Sequence, residues 1–202
     1  MILLGRVPRE FYNRYTPTVA RDLIGCRIVR VIGGERLSGT IVETEAYRGP
    51  KDPASHAHKG MTPRNRVMFG PPGHAYIYFT MGLHYCLNVT TEPRGTPGAV
   101  LLRAIEPCEG VNVMSKNREG APFVKLASGP GNLTKALGID NRLDEEDLVT
   151  SERLYLECGR KAREISTSTR VGVSAGRSNR WRFFEWGNRF VSRGKPSSPQ
   201  NP

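Results

Sequence analysis

The 202-residue sequence has no Cys-x-x-Cys pair, no apolar run approaching about 18 residues, no G-x-G-x-x-G and no internal repeat. Its four cysteines, Cys26, Cys86, Cys108 and Cys158, stand far apart. That spacing argues against a zinc ribbon or a vicinal redox pair and reads as buried thiols in a reducing compartment. Without a long apolar run there is no candidate membrane-spanning helix, and the opening Met-Ile-Leu-Leu is too short for a secretory core. The expectation is a soluble, intracellular protein that needs no membrane.

Acidic residues are scarce. Against 19 Asp and Glu stand 30 Lys and Arg, for a net charge of +11, and Arg supplies 23 of the 30. Codon bias can exchange Lys for Arg, but it does not create an excess of positive over negative charge. Forked guanidinium groups suit phosphate, so a polyanion is the expected partner. The length and the 38% hydrophobic content fit one domain, assigned to 1–194, with the Pro/Ser-rich 195–202 read as a disordered tail.

Thr16-Pro17 ahead of TVARDLIG predicts a short helix over 17–24. CRIVRVI and LSGTIVETEAY, on either side of Gly33-Gly34, read as two strands. Period-two alternation in the second places Ile41, Glu43, Glu45 and Tyr47 on one face and Val42, Thr44 and Ala46 on the other. HAYIYFT and LHYCLNVTT predict a hairpin turning at Met81-Gly82, and GAVLLRAIEP a buried strand carrying Arg103. A helix is expected over 109–117 and another in SGPGNLTKALGI. The Gly129-Pro130-Gly131 start of the latter is either an ordinary cap or a source of amides for a phosphate. RVGVSAG, RWRFFEWG and RFVSR read as late strands.

Glu43 and Glu45 are either an acid/base pair or part of a solvated face, the commoner meaning of such spacing. They precede a loop with His56, His58, Arg64 and Arg66, where a carboxylate could activate water beside a polyanion. His56-Ala57-His58, with Glu45 and Asp52, is either the start of a metal site or a pair of ordinary loop histidines. Tyr47, Tyr76 and Tyr78 are either core residues or a stacking surface for a base. Arg103, behind Ala99-Val100-Leu101-Leu102, would be costly to bury without a carboxylate, phosphate or water network.

Taken together, VETEAYRGPKDPASHAHKGMTPRNRVMFGPPGHAYIYFTMGLHYCLN, GAVLLRAIEP, SGPGNLTKALGI and RVGVSAG resemble the alkyladenine DNA glycosylase family, also called 3-methyladenine DNA glycosylase of the mammalian type. The resemblance runs from about Tyr15 to Gly194 and rests on the order and spacing of these segments. It implies an α+β fold: one mixed domain with a central antiparallel sheet, short surrounding helices and a protruding β-hairpin that intercalates into DNA. It also implies a DNA-associated, metal- and cofactor-free enzyme that flips damaged purines from double-stranded DNA and hydrolyses the glycosidic bond, and a monomer is expected because flipping by one domain needs no second subunit.

By motif match, Glu45 would activate the water, with Arg103 and the Val171 carbonyl helping to hold it. Tyr47 would stack on one face of the extruded base and His56 and Tyr78 on the other. Asn88 would refuse the exocyclic amine of normal guanine. Met81 would be the intercalating wedge, where mammalian members carry a tyrosine. Two other classes remain open on the residues alone. One is a basic binding module without catalysis, similar to the tRNA-binding tail of a formyltransferase, and the other is a metal-dependent nuclease using the two histidines.

Overall fold

The computed structural model describes residues 5–80 and 82–192. Its spine is β2 (Glu35–Arg48), a 14-residue strand that holds partners along both edges. On one edge it pairs antiparallel with β5 (Gly98–Glu109) along nearly its whole length. On the other it pairs first with β1 (Arg27–Ile32) through residues 35–40 and then with β8 (Arg182–Glu185) through residues 43–45. One strand thereby delivers Glu43 and Glu45 to the place where its second edge changes partner.

The sheet continues from β5 to β4 (His84–Thr91) and β3 (Ala75–Thr80), and from β1 to β6 (Leu154–Glu157), while β7 (Ile165–Ser168) pairs with β8. All the pairings between these eight strands are antiparallel. Among the described residues four short α-helices surround them: α1 (Arg9–Tyr12), α2 (Thr16–Asp22), α3 (Val111–Asn117) and α4 (Pro130–Leu137). The fold is thus α+β, one mixed domain around an antiparallel sheet. Among the described residues no helix is long and apolar enough to cross a membrane.

Helix α4 shows how its sequence sets its place. Leu133, Ala136 and Leu137 fall on one helical face and are buried in the main core. Gly138 ends the helix in the left-handed region at φ 60°, a conformation that suits glycine. Thr134 donates to the Tyr85 carbonyl at 2.9 Å, tying the helix to β4. A side chain on Gly131 would meet the His84 ring at 2.5 Å, so glycine is what lets the start of α4 approach the hairpin.

Several expectations change. The predicted helix over 17–24 occupies Thr16–Asp22, and α3 begins at Val111 because Glu109 still belongs to β5. The hairpin connection has three residues, 81–83, rather than a two-residue turn, since Thr80 pairs with His84. RVGVSAG and the described part of RFVSR, residues 189–192, are not strands, and the strand beside β8 lies earlier, at Ile165–Ser168. The 195–202 tail and Met81 lie outside the described residues.

Candidate active site

The predicted alternation along β2 is broken by a β-bulge. Ile41 pairs with Ile105 but Glu43 with Ala104, so Val42 is the extra residue, and the register shifts again before Thr44. Ile41 and Ala46 consequently lie in the main core, whereas Val42 packs with Ala104 and Phe190 in a separate cluster. Glu43 and Glu45 share a side with each other but not with Ile41.

Neither carboxylate is solvated: both are 0% exposed. The expectation of a solvated face fails because charged groups from distant segments enclose them. Glu43 Oε1 accepts from Arg103 Nε and Arg182 Nε, each at 2.7 Å, and from the Ser192 hydroxyl at 2.9 Å. Its Oε2 accepts from the Ser192 amide at 2.7 Å. Burial alone would raise the Glu43 pKa, but the two guanidiniums and the amide outweigh it and hold the group below the ordinary carboxylate range.

Glu45 is held differently. Its Oε1 accepts from the Val171 amide at 2.7 Å, and its Oε2 from the Tyr47 hydroxyl at 2.8 Å and from Arg103 at 3.3 Å. A carboxylate has roughly four acceptor sites, so three donors leave capacity for one more. Arg103 thus finds the partners its burial demands by bridging the two glutamates.

Beside Glu45 lies a cavity of about 270 Å³ lined by Tyr47, His56, Tyr76, Tyr78, Asn88 and Val171, among others. It sits at the small end of ligand-sized pockets, which run to about 300–1,000 Å³. Glu45 and Arg103 are not in the wall. They stand behind Tyr47 and Val171, which touch both the cavity and the carboxylate. The His56 and Tyr78 rings meet edge to face at 4.6 Å, and Tyr76 lies tilted against Tyr78 at 5.3 Å. Asn88 donates its side-chain amide to the Tyr76 carbonyl at 3.0 Å, which fixes which end of the side chain that strand holds.

These aromatic groups are neutral at neutral pH. Burial, with Glu45 next, pushes Tyr47 well above the usual tyrosine range, and burial raises Tyr78 likewise. Tyr76 is pushed up to about 12, mainly by burial. Burial and then the Arg64 charge lower His56, which keeps it uncharged. Arg64 itself lies 5.0 Å over the Tyr78 ring, whereas Arg66 is paired with Glu145. The two histidines diverge: His56 Nδ1 sits 2.7 Å from the Tyr76 hydroxyl and His58 Nδ1 2.6 Å from the Pro50 carbonyl. Among the described residues no group of three His, Cys, Asp or Glu side chains is placed to hold a metal.

A second, larger cavity of about 750 Å³ lies between the hairpin and α4 and shares Val171 and Gly172 with the first. Phe79 and Leu83 project there from the hairpin, 51% and 75% exposed. An aromatic cavity thus stands in front of a buried carboxylate and shares wall residues with a second cavity lined by exposed apolar side chains of the hairpin.

The family model for methylpurine-DNA glycosylase matches residues 10–189. The chain belongs to the methylpurine-DNA glycosylase family. A protein of Carboxydothermus hydrogenoformans named "Putative 3-methyladenine DNA glycosylase" is 47% identical over 93% of this chain and 98% of its own length. Proteins of the same name from Methanocella arvoryzae and Prosthecochloris aestuarii are 47% and 45% identical, over 94% and 97% of this chain and 97% and 95% of their own lengths. The protein is therefore a DNA glycosylase, a hydrolase of DNA repair, and its substrate is DNA.

Sequence reasoning did not find the supports of this candidate site. Arg182 and Ser192 complete the shell of Glu43. Arg170, 5% exposed, makes a two-pronged bond to Asp52 at 2.6 and 2.7 Å, donates to the Ala46 carbonyl, and lies 4.6 Å from the Tyr47 ring centre. The guanidinium thus ties the loop after β2 to the back of Tyr47. Asp52→Asn keeps one acceptor but loses the charge, and is expected to cost roughly 1–3 kcal/mol. Urea unfolding checks this, and an unchanged midpoint would show that Asp52 is not what holds Arg170.

Proposed function

We propose that the protein is a monofunctional, monomeric glycosylase that extrudes damaged purines from duplex DNA and hydrolyses their glycosidic bond with a water activated by Glu45. The class includes 3-methyladenine, 7-methylguanine, hypoxanthine and ethenoadenine. The observation that carries the reading is a fully buried carboxylate hydrogen-bonded to Tyr47 and Val171, two residues of the wall of an aromatic pocket. Chemistry on a base inside a duplex needs that base out of the stack and in a dry, aromatic slot.

In this reading Tyr47 covers one face of the base and His56 and Tyr78 the other, all neutral. Asn88 faces the purine edge and refuses the amine of normal guanine. Arg103 and the Val171 carbonyl hold the water, while the Val171 amide orients Glu45. Met81, with Phe79 and Leu83 beside it in sequence, supplies the apolar wedge that fills the vacated space. Cationic lesions are already good leaving groups and are drawn to the π faces of the tyrosines, whereas hypoxanthine and ethenoadenine demand more help at the ring.

The test is single-turnover release of 3-methyladenine and hypoxanthine from duplex DNA with chelator present, the strands being run with and without alkali. Free base, with strand breaks appearing only after alkali, is expected. Binding without base release would indicate a non-catalytic module, and strand cleavage abolished by chelator would indicate a nuclease. With a net charge of +11, duplex affinity should fall steeply as salt rises, because phosphate contacts release counterions. A flat salt titration would refute binding through the phosphates.

A further inference from the structure

β1 and β6 run antiparallel with Arg27 opposite Glu157 and Ile28 opposite Leu156. One further step in that register sets Cys26 opposite Cys158. The two segments stay side by side beyond the strand ends, since a side-chain carbon placed on Gly159 would lie 2.8 Å from Cys26 Cα.

The hydrogen bonding around the two cysteines defines the type of pair. The Val31 amide donates to the Arg153 carbonyl at 2.9 Å, so alternate pairs counted from there, down to Arg27–Glu157, are the hydrogen-bonded kind. Cys26 and Cys158 fall at a non-hydrogen-bonded position. Their backbones agree: the Cys26 amide donates to Leu23, its carbonyl accepts from Ile41, and the Cys158 amide donates to Gly5. Such pairs hold their Cα atoms about 4.5 Å apart, within the roughly 4.4–6.8 Å that a disulfide spans.

Side-chain parity puts both sulfurs on one face. Ile28, Leu154 and Leu156 belong to the main core, and positions 26 and 158 are in phase with them. Cys26 and Cys158 also line a common cavity with Phe11 and Ile24. Cys26 is buried and Cys158 exposed, so an oxidant reaches one thiol while the other waits behind it.

We infer that Cys26 and Cys158 form a reversible intramolecular disulfide when the protein meets a hydroperoxide. The exposed Cys158 thiolate attacks the peroxide, the O–O bond breaks, and a sulfenic acid and hydroxide result. The Cys26 sulfur then attacks the Cys158 sulfur: the S–S bond forms, the S–O bond breaks, and the departing hydroxide takes the Cys26 proton as water. Two thiols and one hydrogen peroxide give one disulfide and two waters. Burial, with Cys158 next, pushes the Cys26 thiol up to about 11, consistent with Cys158 reacting first. The bond would fasten β6 to β1 on the core face, opposite the face that carries Glu45 and Tyr47.

The experiment treats the reduced full-length protein with hydrogen peroxide, alkylates remaining thiols, and maps tryptic peptides by mass. A linked peptide pair containing Cys26 and Cys158, lighter by two hydrogens and separated by dithiothreitol, is expected. The melting temperature should rise by roughly 4–16 °C on oxidation, and Cys158→Ser should abolish both changes. Linkage through Cys86 or Cys108, linkage between molecules, or Cys158 over-oxidised beside an alkylatable Cys26 would each overturn the inference.

Discussion

Glu45→Gln should bind a hypoxanthine duplex as wild type does while releasing the base about 10²–10⁴-fold more slowly. The substitution keeps the shape of the side chain and removes the basic oxygen. The loss can exceed that range if the carboxylate also opposes positive charge developing on the sugar. Glu45 is an acceptor for Val171, Tyr47 and Arg103, and glutamine presents an amide donor to one of those donors. A stability cost of about 1–3 kcal/mol is therefore expected alongside the catalytic one. Single-turnover release, duplex binding and urea unfolding on the same preparation separate the two effects. Normal release by a folded Glu45→Gln protein would falsify the general-base assignment.

The hairpin, β2 and β5 were legible because each is a long run of β-formers bounded by turn residues, and the family resemblance fixed their order. The Val42 bulge was not, since one unpaired residue in a 14-residue strand leaves the local pattern plausible while shifting parity for part of its length. β6 is four residues long and carries too little periodicity to stand out. RVGVSAG reads as a strand by composition, yet its backbone serves the site: the Val171 amide bonds Glu45, and Arg170 turns inward to Asp52.

The candidate pocket residues could be named from the motifs. Their supports could not, because Glu43–Arg182, Glu43–Ser192 and Asp52–Arg170 join positions more than 100 residues apart, with no local signal at either end. Glu43 shows the consequence most plainly. Alternation alone made it a surface neighbour of Glu45, whereas three-dimensional pairing makes it the centre of a buried cluster.

That position sets the second large effect. Among the described residues, replacing Glu43 with alanine leaves Arg103 facing only Glu45 among carboxylates and leaves Arg182, 1% exposed, with no ion-pair partner. Removing one member of a buried ion pair costs about 3–5 kcal/mol, a large share of the 5–15 kcal/mol that typically separates folded from unfolded. Glu43→Gln should cost less, since its oxygen can still accept from one guanidinium. The Glu43 pKa is lowered in the folded state, so its contribution to stability is fully present above the unfolded value of about 4.3 and is lost as pH falls through the lower folded value. The stability gap between wild type and Glu43→Gln should therefore be wide at pH 7 and narrow as the pH drops below about 4. Urea titrations of both proteins across that range measure it, and a gap that stays constant with pH would mean that the charge of Glu43 is not what holds the cluster.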